Sequence, residues 1–120
     1  MKKIFLVIVC ISFVAACKTS KTTTTAPKAD VPCPKMLYTY NAQVKTIIDA
    51  NCAGCHQGNR PAHGIDLASY ETVKVATTKP SFLGSINHEK GFDKMPAGHA
   101  KLDDATIRTI ICWITSGAAN

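Results

Sequence analysis

The stretch Cys52-Ala53-Gly54-Cys55-His56 places two thiols and one imidazole within five residues. This spacing is typical of an attachment site for a c-type haem. Cys52 and Cys55 can each add to a haem vinyl group and form a thioether, which makes the attachment permanent. His56 follows the second cysteine directly, so that one of its ring nitrogens can bind iron on one face of the porphyrin. The pentapeptide therefore predicts one covalently attached haem c.

Zinc is the main alternative for a cluster of cysteine and histidine. Structural zinc sites use four nitrogen or sulfur ligands, which usually come from two spaced pairs. No second CxxC or CxxH motif follows Cys55. The sequence therefore favours haem over zinc.

The N-terminus has the features of an export signal. A basic start, Met1-Lys2-Lys3, precedes an apolar run over residues 4–14 and small residues before Cys17, which predicts a signal peptide over residues 1–16. Residues 14–17 also resemble a bacterial lipobox, which implies that Cys17 is the first mature residue and carries lipid. An ordinary secretory signal with an incidental cysteine, or an uncleaved anchor, is the alternative. Because bacteria attach haem c outside the cytoplasm, we expect the protein in the cell envelope, anchored to the membrane by lipid and facing the periplasm or the exterior.

Residues 17–30 lack large apolar side chains after the cysteine and are rich in threonine and lysine. Such a segment cannot bury enough surface to offset the entropy of ordering, so it is predicted to be a flexible tether. Several lysines lie in this tether, and the net charge of +6 therefore overstates the charge of the folded part. No basic run with interleaved aromatic residues is present, and we expect no binding to nucleic acid.

Residues 31–120 are predicted to form one small all-α domain. Apolar residues recur at helical spacing near both ends of the domain: Tyr40, Val44, Ile47 and Ile48 in the first segment, and Ile107, Ile110, Ile111 and Ile114 in the second. Thr39 or Asn41 is a suitable N-cap for the first helix, which runs directly into Cys52. Asp103 is a suitable N-cap for the last helix, and Gly117 a suitable end.

The middle of the domain is mostly irregular. Residues 68–77 predict a short helix around Tyr70 and Val73, and no alternating strand pattern is found. A domain of this size has difficulty making a sufficient core from side chains alone. A buried porphyrin would supply the missing apolar volume.

Two terminal helices that enclose a CxxCH motif and a later Met-Pro resemble the class I cytochrome c family, in particular the small monohaem domains of bacterial envelope lipoproteins. The segments that carry this resemblance are residues 44–56, 64–70, 86–88, 94–96 and 113–118. The resemblance implies a class I cytochrome c-like fold, with helices and loops wrapped around one haem. It also implies a monomeric one-electron carrier, not an enzyme, whose redox protein partners bind transiently.

Met95 is the predicted second axial ligand of the iron. It follows His56 by 39 residues and lies in a glycine-rich stretch, where Pro96 disfavours a helical backbone at Met95. In the resembling family, the methionine of such a Met-Pro loop is the distal ligand. Three histidines, His63, His88 and His99, or an open site, are the alternatives, and Met95 would then only fill a gap in the core. For the Nδ1 hydrogen of His56, a carbonyl near Pro61 is the expected partner.

Two cysteines, Cys33 and Cys112, are not assigned to the signal peptide, the lipid site or the haem attachment site. On a helical wheel Cys112 falls away from the isoleucine face, near Arg108 and Thr115, so a free thiol there would be exposed in an oxidising compartment. Cys33 lies between two prolines, in an extended segment that could cross the outside of the last helix. A Cys33–Cys112 disulfide is therefore predicted, with two unpaired thiols as the alternative.

Two other classes of function are compatible with a haem domain. A labile Met95 would leave the sixth site open, as in a haem-based sensor, a ligand-binding protein or a weak peroxidase. A haem that serves mainly as core would make the domain a structural module. Hydrolytic chemistry is not indicated, because no Gly-x-Ser-x-Gly motif and no phosphate-binding glycine loop is present.

Overall fold

A computed structural model describes residues 32–120 of the chain. The predicted signal peptide over residues 1–16, the lipid site at Cys17 and the tether over residues 17–30 lie outside these residues. The described part is helical and contains no strand, which confirms the all-α prediction. A single parallel bridge pairs Thr39 with Ala119 within this part.

The first helix of the domain begins with a π-helical segment and continues as a short α-helix. The elements in chain order are a π-helix at Tyr40–Val44, α1 at Lys45–Asn51, a 3₁₀ turn at Ala62–Gly64, α2 at Tyr70–Thr77, α3 at Pro80–Ile86 and α4 at Asp104–Thr115. Over residues 32–120, none of the helices has the length and apolarity that crossing a bilayer requires.

Side-chain caps explain where three of these helices begin. Thr39 Oγ1 accepts a hydrogen bond from the amide of Ala42 at 3.2 Å, and Asp103 Oδ1 accepts one from the amide of Thr106 at 2.9 Å. Ser69 forms a capping box with Thr72, which starts α2 at Tyr70, two residues later than predicted. Each such cap contributes about 1 kcal/mol to helix stability. The two terminal helices and the middle helix are thus confirmed.

Helix α3 was not predicted from the sequence. Pro80 occupies its first turn, a position where the missing amide hydrogen costs nothing. The helix is only seven residues long and contains Gly84, which weakens its propensity. Its C-terminal end leads into the loop that carries Met95.

One part of the core joins α1, α2 and α4. It is built around Trp113 and Tyr40, whose ring centroids lie 5.9 Å apart. Trp113 Nε1 donates a hydrogen bond to the carbonyl oxygen of Ala119 at 2.7 Å, and the Tyr70 hydroxyl donates one to that of Ala118 at 2.9 Å. These bonds hold the C-terminal residues against α4 and α2, and the amide of Tyr40, which donates to the Ala119 carbonyl at 2.8 Å, holds them against the start of the first helix.

The isoleucine face of α4 forms the other part of the core. Ile107, Ile110 and Ile111 are buried together with Ile86 of α3, and Met95 packs against them. The face predicted from helical periodicity is therefore directed towards α3 and the Met95 loop. This packing places the methionine beside the longest helix of the described residues.

A disulfide joins Cys33 to Cys112, with the two Cα atoms 5.5 Å apart. The expectation that Cys112 lies on an exposed face of the last helix was wrong, because its side chain is fully buried. Tyr38 and Tyr40 belong to the same buried cluster as Cys112, and Cys33 packs against that cluster. The N-terminal segment thus covers the side of α4 that a helical wheel of α4 alone assigns to solvent.

Removing this disulfide should strongly destabilise the domain. The bond closes a loop across a sequence separation of 79 residues, and constraining the unfolded chain over such a loop contributes about 4 kcal/mol. We expect the haem-loaded Cys33→Ala/Cys112→Ala variant to unfold at a clearly lower denaturant concentration than the wild type. With the iron already reduced in both proteins, a thiol reductant should lower the wild-type midpoint and leave that of the variant unchanged. Equal midpoints for the oxidised wild type and the variant would contradict this prediction.

Candidate functional site

A cavity of about 330 Å³ lies between the pentapeptide, α3 and the Met95 loop. Its lining combines apolar side chains with three of the predicted haem-binding residues. Its lining residues include Cys52, His56, Ile65, Leu67, Phe82, Ile86, Phe92, Met95 and Leu102. Side chains separated by tens of residues in sequence are therefore brought to a single pocket.

The pentapeptide begins where α1 ends. The amide of Cys52 still donates to the carbonyl of Ile48 at 2.9 Å, and the amide of His56 donates to the carbonyl of Cys52 at 3.1 Å. Cys52 lines the cavity, and burial raises the pKa of its thiol to about 11. Cys55 is exposed and is not among the cavity-lining residues. The two free thiols thus differ in environment, with one facing the cavity and the other facing solvent.

Three hydrogen bonds fix the position of His56. Besides its own amide, its carbonyl oxygen accepts from the amide of Leu67 at 2.6 Å. Its Nδ1 lies 3.1 Å from the carbonyl oxygen of Ile65. Since a carbonyl can only accept, Nδ1 must carry the hydrogen, and in the neutral ring Nε2 then keeps its lone pair. This is the tautomer that a histidine needs in order to bind a metal through Nε2. The partner carbonyl is that of Ile65, four residues beyond the expected Pro61.

Met95 lines the same cavity and comes from a segment 39 residues after His56 in the chain. Its side chain is half-buried and packs against the isoleucine cluster of α4. Its amide donates to the carbonyl of Ser85 at 3.1 Å. The residues from Gly91 to Gly98 form no helix, as predicted. An irregular loop therefore carries the thioether to the cavity, although its backbone is bonded to α3.

The three rival histidines differ in their surroundings. His63 lines the cavity but is exposed. His99 is exposed and lies outside the lining. His88 also lies outside the lining, and its Nε2 is 3.0 Å from the carbonyl oxygen of Met95. Met95 is therefore the lining residue that best combines a soft donor with partial burial.

The donor set of the cavity fits a c-type haem. It offers an imidazole with a free Nε2, a thioether and a thiol on apolar walls, which matches the ligands used by cytochromes c. Polar lining residues, among them Lys79, Ser81 and Asp93, are exposed and so lie towards solvent. A zinc site needs four ligands, and residues 32–120 contain no group of three or more His, Cys, Asp or Glu side chains placed to hold a metal ion.

Phe92 and Gly84 form a part of the cavity wall that the sequence did not indicate. The Phe92 ring lines the cavity and packs directly over the backbone of Gly84 in α3. An alanine Cβ at Gly84 would lie only 2.6 Å from Cγ of Phe92 and closer still to two other ring atoms. The glycine therefore leaves room for the aromatic ring.

This contact predicts opposite effects of one substitution in two backgrounds. Overpacking costs about 1–3 kcal/mol, whereas alanine gains about 1 kcal/mol over glycine within a helix. We expect Gly84→Ala to destabilise the wild type by about 1 kcal/mol in denaturant unfolding. In a Phe92→Ala background, where the ring is absent, the same change should stabilise by about 1 kcal/mol. The same sign in both backgrounds would contradict the proposed role of the glycine.

The helical fold, with a cavity that unites a CxxCH pentapeptide and a Met-Pro loop, defines a class I cytochrome c domain. The family model described as cytochrome C oxidase, cbb3-type, subunit III matches residues 41–114, and the chain belongs to this family of cytochrome c domains. Members of cytochrome c families bind haem c covalently and generally act in electron transfer. Searches of the curated proteins and of the solved structures found no match.

Proposed function

We propose that the protein is a monohaem cytochrome that carries single electrons between redox proteins of the bacterial cell envelope. The observation that carries this proposal is the convergence of Cys52, His56 and Met95 on one cavity. Haem bound there supplies an iron that takes up and releases one electron at a time. The protein itself is a carrier and catalyses no conversion of a substrate.

Each of the four haem-binding residues has a distinct role in this proposal. Cys52 and Cys55 would form the two thioether bonds to the macrocycle. His56 binds iron through Nε2, while its Nδ1 hydrogen bond to Ile65 keeps the ring in a fixed orientation and makes it a stronger donor. Met95 would supply a second protein ligand to iron through its sulfur. External ligands would then have to displace a protein side chain.

A thioether ligand affects the reduction potential of the carrier. Methionine favours ferrous iron more than a second imidazole does, which raises the reduction potential. The apolar lining residues Phe82, Ile86 and Leu102 would limit the access of water to the metal. A dry site also disfavours the extra positive charge of the ferric state. We therefore propose a carrier with a comparatively high potential.

Electron exchange needs an accessible edge of the cofactor. Cys55 is exposed, and Phe92 at the cavity is about one-third exposed. An exposed attachment residue such as Cys55 would give partners a short path to the haem. Contacts of this kind are small and transient in redox complexes, which allows rapid exchange of partners. The protein then acts as a monomer.

Membrane attachment forms a further part of the proposal. A signal peptide over residues 1–16 and lipid on Cys17 would leave residues 17–30 as a tether between the membrane and the cytochrome domain. Lipidation with two or more acyl chains holds a protein stably at a membrane, whereas a single chain does not. We propose that the domain faces the periplasm or the exterior, where haem attachment also takes place.

The function is tested on protein matured by the bacterial haem-attachment machinery. We expect a reversible titration with the slope of a one-electron couple, and resistance of the reduced protein to carbon monoxide. Rapid stoichiometric binding of carbon monoxide would instead support an open-site sensor or peroxidase. Purified protein without bound haem would overturn the proposal.

A further inference from the structure

His88 is a histidine that the haem site leaves without a role. It follows the end of α3 and adopts a left-handed backbone conformation, with φ of 56°. Few residues other than glycine do so, although histidine, asparagine and aspartate are enriched there. Its amide donates to the carbonyl of Ser85 at 3.1 Å. The backbone at His88 thus turns sharply out of the helix and stays bonded to it.

The side chain of His88 reaches the backbone of Met95. Its Nε2 lies 3.0 Å from the Met95 carbonyl oxygen, which can only accept a hydrogen bond. Nε2 must therefore carry the hydrogen and donate. A nitrogen used in this way has no lone pair left for iron, so His88 cannot be an axial ligand through Nε2 in this arrangement.

The peptide units of Met95 are held on both sides. The Met95 amide donates to the carbonyl of Ser85, and the Met95 carbonyl accepts from His88. Ser85 lies in the last turn of α3 and His88 follows its end. The helix packs into the isoleucine cluster through Ile86. The loop that carries Met95, residues 91–98, forms no helix or strand. These two bonds are what connects the methionine backbone to a helix.

We propose that His88 is a positioning residue that keeps the thioether of Met95 directed into the cavity. The inference rests on the proposed function, since it concerns the sixth ligand of the same haem. With the Met95 backbone fixed, only the side-chain torsions can move the sulfur away from the metal. Loss of the His88 bond frees the carbonyl end of the residue. The sulfur then leaves iron more often, and external ligands gain access.

The test compares three variants of the haem-loaded protein. His88→Phe keeps a ring of similar size and removes the donor, whereas His88→Gln keeps an amide donor at similar reach. His99→Phe is the matched control, because His99 is an exposed histidine of the neighbouring loop and lies outside the cavity lining. The measurements are the methionine-to-iron absorption band of the oxidised protein and the rate at which the reduced protein binds carbon monoxide.

We expect His88→Phe to weaken the band and to bind carbon monoxide about fivefold to tenfold faster, the factor that corresponds to one lost hydrogen bond. His88→Gln should lie close to the wild type, and His99→Phe should match it. If His88→Phe does not fold, His88→Asn takes its place, because asparagine tolerates the left-handed backbone while its shorter amide does not reach the carbonyl. The same increase in rate is expected for it.

A wild-type band and wild-type rate in the folded donor-free variant would overturn the positioning role and leave the proposed function intact. A band that is absent already in the wild type would remove Met95 from the iron, and with it both this inference and the proposed ligand. An equal increase in His99→Phe would also overturn the inference, because the effect would then not depend on the bond to Met95.

Discussion

Replacing both Cys52 and Cys55 with serine is expected to abolish covalent haem attachment. A serine hydroxyl does not form the bond that a thiol makes with a vinyl group, so no cofactor should remain on the chain after denaturation. The measurement is haem staining on a denaturing gel together with the mass of the intact protein. Because a domain of this size has little side-chain core, we also expect a weaker helical circular dichroism signal.

The control for this experiment is the loss of two cysteines elsewhere. The Cys33→Ala/Cys112→Ala variant lacks the disulfide but keeps the pentapeptide, and it should retain covalent haem even though it is less stable. Each single serine variant keeps one sulfur and should hold haem through one thioether at lower yield. Covalent haem in the double serine variant would refute the assignment of the attachment site.

Replacing Met95 with histidine is expected to lower the reduction potential by on the order of 0.1 V or more, within the roughly 0.8 V range that axial ligands span. The reason is that an imidazole stabilises ferric iron relative to a thioether. The methionine-to-iron absorption band of the oxidised protein should disappear at the same time. Both quantities are measured on one sample by a spectroscopic redox titration.

The other methionine of the described residues provides the matched control. Met36 lies before the first helix, and its side chain is about half exposed, so Met36→His introduces the same chemical change away from the cavity. It should leave both the potential and the absorption band unchanged. Met95→Leu should open the sixth site and allow rapid carbon monoxide binding. An unchanged potential in Met95→His would exclude Met95 as a ligand.

Local signals in the sequence were sufficient for the terminal helices. Thr39 and Asp103 cap the helices they were expected to cap, because capping depends on residues within one turn. The isoleucine face of α4 follows from periodicity alone. The prediction of a Met95 loop needed only Pro96 and the surrounding glycines.

The features that the sequence did not reveal depend on contacts between distant segments. The burial of Cys112 results from Tyr38 and Tyr40, which lie more than 70 residues earlier, and a wheel of one helix cannot include them. Helix α3 has too few apolar positions around Gly84 to show a period. The bond from His88 to Met95 depends on how an irregular loop folds back on α3. A histidine in a loop gives no sign of such a partner.

The disulfide also determines which part of the domain would bear a pulling force on the N-terminal side of the chain. A pull on the chain ahead of Cys33 passes through a covalent bond into α4 at Cys112. The longest helix of the described residues, packed on both core clusters, then resists the force. Residues 34–111 are bypassed, and the segment from Cys52 to His56 lies within this bypassed loop. A force applied to the chain ahead of Cys33 would therefore reach α4 without passing through the segment from Cys52 to His56.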